Sequence, residues 1–256
     1  MIFLRTIVAF LLFSNFLFSQ ESKIKTEEAQ PETILFIGNS YLYYGDSLHN
    51  HFRRMVEEYF TGYDASSVKS ATIGGSRLKH HNVERLIKPK AISSIEKFDL
   101  VILQGGSGET LTVDSRKEFS YFVKKHIQTI RENNSQAALY MTHAYVEPHK
   151  KFTENQIKTI AETYTKVGIE NQTLVIPVGL AFDLAYQKQP SIVLHKFDGS
   201  HPSLLGTYLA ACTVFSSIYG ESPIGLKYDY FGTINEKDKM FLQDIADKAT
   251  SMFFNK

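Results

Sequence analysis

The sequence predicts an α/β fold of three layers, in which a central parallel sheet of about five strands is covered by helices on both faces. Short runs of β-branched and aromatic residues alternate along the chain with longer stretches whose apolar residues recur at helical spacing. Strands that alternate with helices of ten or more residues are typical of a parallel sheet. Because the pattern starts near Glu32 and contains no linker or internal repeat, we expect a single domain over residues 32–256.

Two groups of segments make up this pattern. The segments with the length and composition of strands are Thr33–Ile37, Ser67–Ile73, Phe98–Gln104, Ala137–Thr142 and Thr173–Val178. The segments whose apolar residues fall on one side of a helix are Leu48–Phe60, Arg116–Glu132, Gln156–Asn171, Leu204–Tyr219 and Glu236–Phe254. We therefore expect five strands, three connecting helices and two closing helices.

The composition is that of a globular protein, with 43% hydrophobic and 21% charged residues. The 28 basic and 27 acidic side chains nearly balance, and no long basic run is present, which argues against a nucleic-acid partner. The single cysteine, Cys212, excludes an intrachain disulfide, so the hydrophobic core must stabilise the domain. Cys212 lies among apolar residues of a predicted helix, where we expect it to be buried.

The first residues resemble a secretory signal of the bacterial type. Arg5 is followed by an apolar stretch from Thr6 to Phe18, which is short for a membrane span of about 20 residues. Ser19 is a small residue before a predicted cut between Ser19 and Gln20, and residues 20–31 form a polar leader. We expect a secreted or periplasmic protein without stable membrane insertion after cleavage. An uncleaved N-terminal anchor is the alternative.

Three polar turns follow the first three predicted strands: Gly38-Asn39-Ser40, Gly74-Gly75-Ser76 and Gln104-Gly105-Gly106-Ser107. In open parallel sheets, ligands bind at the carboxyl ends of the strands, so all three turns should face one crevice. Glycine after a strand allows a sharp turn and a close approach of backbone N–H groups to a ligand. Ser40 would leave the strand end with its hydroxyl exposed, as a nucleophile requires.

Ser47 is a second candidate nucleophile, because Gly45-Asp46-Ser47 spells a better-known motif. It lies seven residues after Ser40, next to the predicted helix that begins near Leu48. Asp46 or Ser47 is a natural N-cap at that position. We therefore interpret Ser47 as a structural cap and favour Ser40.

A serine hydroxyl needs a base to become nucleophilic, and the base needs an acid to orient it. Asp198-Gly-Ser-His201 offers such a pair on a loop that leads into the helix from Leu204. The alternative is that Asp198 caps a turn and His201 lies at a helix start. Of the other histidines, His49 and His51 are two apart on a helix and point to different sides, so we expect no metal site there.

These motifs, in this order and at this wide spacing, resemble the SGNH/GDSL hydrolase family over about residues 32–220. The stretch from Asp198 to Gly220 is similar to the final block of that family's carbohydrate-esterase-like bacterial branches. The resemblance implies a flavodoxin-like fold and a Ser-His-Asp triad that needs no cofactor and no metal. By position, Ser40 would be the nucleophile, His201 the general base and Asp198 its orienting acid.

The chain departs from the family pattern at two positions. Asn39 stands where the first block usually has Asp, and it keeps a hydrogen-bonding side chain that can orient the turn. The third block usually has Gly-x-Asn-Asp, with its Asn donating to the oxyanion, whereas this chain has Gln104, which resembles the Gln-Gly-x-Ser turn of sialate-type acetylesterases. We predict an oxyanion hole made of the Ser40 N–H, a Gly75 or Gly74 N–H, and the Gln104 side chain.

Asn39, Tyr41 and Arg77 are the candidate substrate contacts. Tyr41, with Tyr43 and Tyr44, could line the crevice or pack the first loop on the sheet, and Arg77 could contact an acidic group or lie at the surface. The sequence thus favours a secreted serine esterase that removes an acetyl or other short acyl group from a carbohydrate. The alternatives are a non-catalytic carbohydrate-binding module on the same fold, and a thioesterase or lipid-ester hydrolase.

Overall fold

The computed structural model describes residues 30–255, so the expected signal segment 1–19 and most of the polar leader lie outside the described residues. All five predicted strands are present and pair in parallel, in the order β2-β1-β3-β4-β5. They are β1 (Ile34–Gly38), β2 (Val68–Thr72), β3 (Leu100–Gln104), β4 (Gln136–Tyr140) and β5 (Leu174–Ile176). The three-layer α/β prediction is confirmed.

Eight α-helices of the described chain surround this sheet. They are α1 (Ser40–Tyr43), α2 (Leu48–Tyr59), α3 (Val83–Leu86), α4 (Val113–Glu132), α5 (Gln156–Glu170), α6 (Val178–Lys188), α7 (Leu204–Tyr219) and α8 (Glu236–Phe254). The predicted bounds of the two closing helices are confirmed. The α4 helix begins earlier than predicted because the Thr112 hydroxyl accepts a hydrogen bond from the Ser115 N–H and caps its first turn.

Three helices were not predicted: α1 and α3, which have four residues each, and α6, which has eleven. The sequence from Thr173 to Val178 is continuously apolar or β-branched and predicted a strand that continues to Val178. Pro177 instead ends the strand, because proline has no N–H to donate to the ladder, and it occupies the N-cap of α6. Most residues of α6 are apolar, so its sequence lacks the polar side that marks a surface helix.

Each face of the sheet packs against its own set of helices. Side chains alternate along β1, so that Ile34 and Phe36 belong to one core with α2, α6, α7 and α8. Leu35 and Ile37 belong to the opposite core with α3, α4 and α5. Cys212 is fully buried in the first of these cores, as predicted.

The strand order places a switch point at the centre of the sheet. The chain runs from β1 outward to β2 and then returns to β3 on the other side of β1. The loops after β1 and β3 therefore leave in different directions and open a crevice at the carboxyl ends of these strands, where ligands bind in such sheets. Ser40 directly follows the turn after β1, and Gln104 ends β3.

Within residues 30–255, no helix is both long enough and apolar enough to cross a membrane.

Candidate active site

A continuous chain of hydrogen bonds joins Ser40, His201 and Asp198 at this crevice. The Ser40 Oγ lies 2.9 Å from His201 Nε2, and His201 Nδ1 lies 2.5 Å from Asp198 Oδ2. Ser40 and His201 are 161 residues apart in sequence, and the fold brings them into contact. The imidazole is 26% exposed, whereas the serine is only 8% exposed and is therefore more buried than predicted.

The Asp198 carboxylate is fixed on its own loop. Its Oδ1 accepts the backbone N–H groups of Ser200 and His201, at 2.9 and 3.0 Å. Partial burial acts to raise the pKa of Asp198, but the hydrogen bonds from His201 and from these two N–H groups together lower it to about 2. The ionised carboxylate accepts the Nδ1–H of His201, which leaves Nε2 facing the Ser40 hydroxyl, where it can accept the serine proton.

Asn39 holds Ser40 in place at the start of α1. Its side-chain oxygen accepts the Tyr41 N–H and caps this short helix, and its side-chain amide donates to the Ser76 carbonyl in the loop after β2. The side chain therefore orients the turn, as predicted for this substitution of the family's Asp. Both of its polar groups are bound within the protein.

The backbone N–H groups predicted as oxyanion donors lie in the turns after β1 and β2. The turn after β2 closes through the Ser76 N–H and the Ile73 carbonyl, with Gly75 at a φ of +67°, a conformation that favours glycine. In the described part of the chain, the N–H groups of Ser40, Gly74 and Gly75 donate to no protein acceptor. They are available to a developing negative charge.

Gln104 lies next to these groups, but its amide has other partners in this structure. The side-chain oxygen accepts the Asn39 N–H at 2.8 Å, and the side-chain nitrogen donates to the Gly105 carbonyl. A Cβ atom on Gly38 would overlap the Gln104 side chain, so this contact requires glycine as the last residue of β1. Gln104 therefore fixes the backbone that precedes Ser40, and its role as an oxyanion donor stays a prediction.

Arg77 points toward α4. Its guanidinium forms an ion pair with Glu118 at 3.0 Å, and Lys79 binds the same carboxylate at 2.9 Å. The guanidinium is thus engaged with a protein carboxylate, which reduces its availability for an acidic group on a substrate.

Tyr41 is only 2% exposed. Of the two alternatives for this residue, the structure therefore favours packing of the first loop over lining of the crevice.

A buried carboxylate that the sequence analysis missed ties two of the site's loops together. Glu109 is fully buried, and its Oε2 accepts the N–H groups of Gly106, after β3, and of Leu78, after β2. Burial raises the pKa of Glu109 above its usual value, although these hydrogen bonds oppose the shift. An acidic residue just after the glycine turn was the only signal in the sequence.

Aromatic side chains lie beside His201 and Asp198. Tyr44 stacks on the His201 ring with 4.2 Å between ring centroids, and Tyr43 stacks beside Tyr44 at 5.5 Å. Tyr43 is 41% exposed, and its hydroxyl lies near Gly74, while Phe197 is 94% exposed beside Asp198. We refer to Tyr43, Tyr44 and Phe197 as the aromatic rim.

Ser47 occupies the N-cap position of α2, as one of the two residues predicted for it, but its side chain forms no capping hydrogen bond. With a φ of +63°, the residue turns its hydroxyl back to the Tyr43 carbonyl. His51 contacts the Gly45 carbonyl and the Tyr228 hydroxyl. No group of three metal-ligating side chains occurs within residues 30–255, at His49 and His51 or elsewhere.

The architecture is shared with solved structures of low sequence identity. A candidate SGNH hydrolase from Slackia heliotrinireducens superposes with a TM-score of 0.54 at 22% identity, over 72% of this chain and 97% of that chain. The chain has the SGNH hydrolase fold. A DUF4886 family protein from Bacteroides uniformis, which covers 87% of this chain and 95% of its own, superposes with a TM-score of 0.65 at 20% identity.

A third structure with the SGNH hydrolase fold is an acetyl xylan esterase from Geobacillus stearothermophilus. It superposes with a TM-score of 0.55 at 13% identity, over 74% of this chain and 95% of that chain. No family model and no curated protein matches the sequence. At these identities, the comparisons establish the SGNH fold, and the chemistry of the site has to be argued from its own residues.

Proposed function

We propose that this protein is a serine esterase that hydrolyses an acetyl or other short acyl ester of a carbohydrate. The observation that carries the proposal is the hydrogen-bonded series Ser40–His201–Asp198 at the switch point of the sheet. A serine hydroxyl at its ordinary pKa is a weak nucleophile, and a hydrogen-bonded imidazole with an ionised carboxylate behind it is the arrangement that activates it.

The reaction would proceed through an acyl-enzyme. The Ser40 Oγ attacks the ester carbonyl carbon while His201 Nε2 takes the hydroxyl proton, and the resulting oxyanion accepts N–H groups of Ser40 and of Gly74 or Gly75. His201 then gives its proton to the departing alcohol oxygen as the ester C–O bond breaks. A water molecule then attacks the acyl-serine while His201 Nε2 takes one of its protons. His201 returns that proton to Ser40 Oγ as the bond between this oxygen and the acyl carbon breaks, which releases the carboxylic acid and regenerates the serine.

The carbohydrate part of the proposal is supported by the aromatic rim. Sugar rings present C–H groups that pack well on aromatic faces, and two of the three rim residues are substantially exposed beside the catalytic pair. The short acyl group is supported by the likeness to structures of acetyl xylan esterases. Cofactor chemistry plays no part in the proposed mechanism.

The test is covalent labelling with a fluorophosphonate, combined with hydrolysis of aryl esters of increasing acyl length. We expect labelling of the wild-type protein, loss of labelling in Ser40→Ala, and retention of most activity in the matched variant Ser47→Ala. The aryl acetate should be hydrolysed faster than an aryl ester with a long acyl chain. An unlabelled, folded wild-type protein would instead favour a non-catalytic binding module, and a preference for long acyl chains a lipid-ester hydrolase or thioesterase.

Export is a separate part of the proposal. It is supported by Arg5 and the apolar stretch that ends before Ser19, a short hydrophobic segment of the length and order of a cleavable signal. Sequencing the N-terminus of the mature protein tests it. We expect the chain to begin at or near Gln20, and recovery of the intact N-terminus would indicate an anchor instead.

A further inference from the structure

A buried histidine that the proposed reaction does not use lies next to the catalytic pair. His143 follows β4 and is 2% exposed. Its ring lies between two aromatic rings, with centroid distances of 4.1 Å to Tyr41 and 4.4 Å to Phe182 and interplanar angles of 13° and 7°. Tyr41 in turn meets the His201 ring edge-on at 6.1 Å, so a single ring separates the two histidines.

The hydrogen bonds of His143 define its protonation. Its Nε2 lies 2.9 Å from the Ser200 carbonyl oxygen, which can only accept, so Nε2 carries the proton. Burial lowers the pKa of His143 well below its usual value, and nearby His195 adds to the effect. The ring is therefore neutral, with Nδ1 unprotonated and without a hydrogen-bond donor in the described part of the chain.

These contacts connect the segments that carry the nucleophile and the base. Tyr41 is the neighbour of Ser40 in the chain, and Ser200 is the neighbour of His201. The Tyr41 hydroxyl and the Ser200 Oγ also lie 3.0 Å apart. His143 thus stacks on one segment and donates to the backbone of the other, and the contact from Ser40 Oγ to His201 Nε2 closes the ring of interactions.

We propose that His143 is a positioning residue that sets the approach of His201 to Ser40. The role rests on the proposed esterase function, since it concerns the geometry of that triad. The Tyr41 ring stacks on the His143 imidazole and fixes its position. The Nε2–H of His143 then donates to the Ser200 carbonyl and fixes the position of that carbonyl. Because His201 follows directly, its ring is held at hydrogen-bonding distance from the serine. A misplacement of reacting groups by about 1 Å can lower a rate by about 10².

Three variants of His143 separate its hydrogen bond from its bulk. His143→Phe keeps a stacked ring and loses the donor, and we expect kcat for 4-nitrophenyl acetate to fall by about 10- to 100-fold with KM nearly unchanged. His143→Gln places an amide N–H near the position of Nε2 and should recover much of the loss. His143→Asn places it near Nδ1, too far from Ser200, and should not.

Fluorophosphonate labelling of Ser40 should slow by the same factor as kcat, because both reactions need the activated serine. The stability control is Ile130→Ala, a buried change near the opposite edge of the sheet, which should lower the melting temperature with little change in kcat. If His143→Phe does not fold, the Gln and Asn variants decide the question, since both are polar amides that differ only in reach.

The outcomes are distinct. A folded His143→Phe with kcat within about twofold of wild type, or equal activity of the Gln and Asn variants, would overturn the positioning role. A loss in kcat no larger than that of Ile130→Ala at the same melting temperature would do so as well. A wild-type protein that is not labelled at Ser40 would overturn the esterase proposal and this inference with it, whereas a labelled wild type with unaffected His143 variants overturns the inference alone.

Discussion

Two serine–histidine pairs lie on neighbouring loops of this protein, and their hydrogen bonds have almost the same length. Ser40 Oγ is 2.9 Å from His201 Nε2, and Ser76 Oγ is 2.8 Å from His81 Nε2. The first imidazole is backed by Asp198 and is partly exposed. The second is 5% exposed, and no carboxylate contacts it within residues 30–255. A serine–histidine distance alone therefore does not define a nucleophile.

The surroundings of the second pair indicate a structural role. Burial, with smaller contributions from His126 and His80, lowers the pKa of His81 to about 4, which makes its imidazole a weak base. Ser76 is 4% exposed, and its carbonyl accepts the Asn39 side-chain amide. The Ser76–His81 pair thus supports the turn on which Ser40 depends, while the Ser40–His201 pair faces the crevice.

Removing each hydroxyl separates the two roles most strongly. Ser40→Ala should lower kcat for an aryl acetate by about 10⁴ or more, because the members of a triad act as a unit. Ser76→Ala removes the buried hydrogen bonds of this hydroxyl to His81 and to the Gly38 carbonyl, worth about 1 kcal/mol each, and should lower kcat far less. Steady-state kinetics on both variants, with melting temperatures as the control, make the comparison. If both variants fold and lose kcat to a similar extent, Ser40–His201 would not differ in function from Ser76–His81.

Making the first pair resemble the second is the next test. Asp198→Asn keeps the shape of the side chain and removes the charge behind His201, so the imidazole loses both its orientation and the stabilisation of its protonated form. We expect kcat to fall by about 10³–10⁴. A variant that retains the wild-type kcat across neutral pH would show that the carboxylate only caps its own loop.

Gln104 accepts the Asn39 N–H and so supports the backbone just before Ser40. Gln104→Ala removes the acceptor for the Asn39 N–H and also the predicted oxyanion donor, and we expect kcat to fall by about 10²–10³. Rates on an aryl acetate, read together with the circular dichroism spectrum of the variant, test this. Unchanged turnover with an intact fold would exclude Gln104 from the oxyanion hole.

The smallest effect concerns acid stability. Burial lowers the pKa of both His81 and His195 to about 4, below the value near 6.5 of an unfolded chain, so unfolding takes up protons between these limits. The stability these groups contribute is present above pH 6.5 and is lost as the pH falls toward 4, by at most about 1.4 kcal/mol per pH unit for each group. Urea unfolding from pH 7 to pH 4 measures it, and His81→Gln should flatten the slope. A pH-independent free energy of unfolding would contradict these pKa directions.

The sequence was sufficient to predict that Ser40, Asp198 and His201 lie together, because each carries a local signal. The serine follows a strand and a glycine, and the acid and the histidine lie three residues apart on one loop. The second pair and Glu109 lack such signals, since their contacts depend on how loops after different strands meet. His143 contacts a residue 57 positions away, and only its place after β4 distinguished it in the sequence.

The strands and the long helices of the fold were also predictable from the sequence. Periodicity located all five strands and the closing helices, because buried strands and long amphipathic helices have strong patterns. It missed α1 and α3, which are only four residues long, and α6, whose apolar sequence continues directly from β5 across Pro177. Ser47 lies at the predicted N-cap position, but its hydroxyl forms no capping hydrogen bond, because a positive φ turns it away from the helix it precedes.

Among the serines of these loops, we expect only Ser40 to be activated by its histidine. Mass spectrometry of the fluorophosphonate-labelled, proteolysed wild-type protein tests this. We expect a single stoichiometric adduct on the peptide that contains Ser40, located on that residue. An adduct on Ser76 or Ser47, or no adduct on a folded protein, would contradict it.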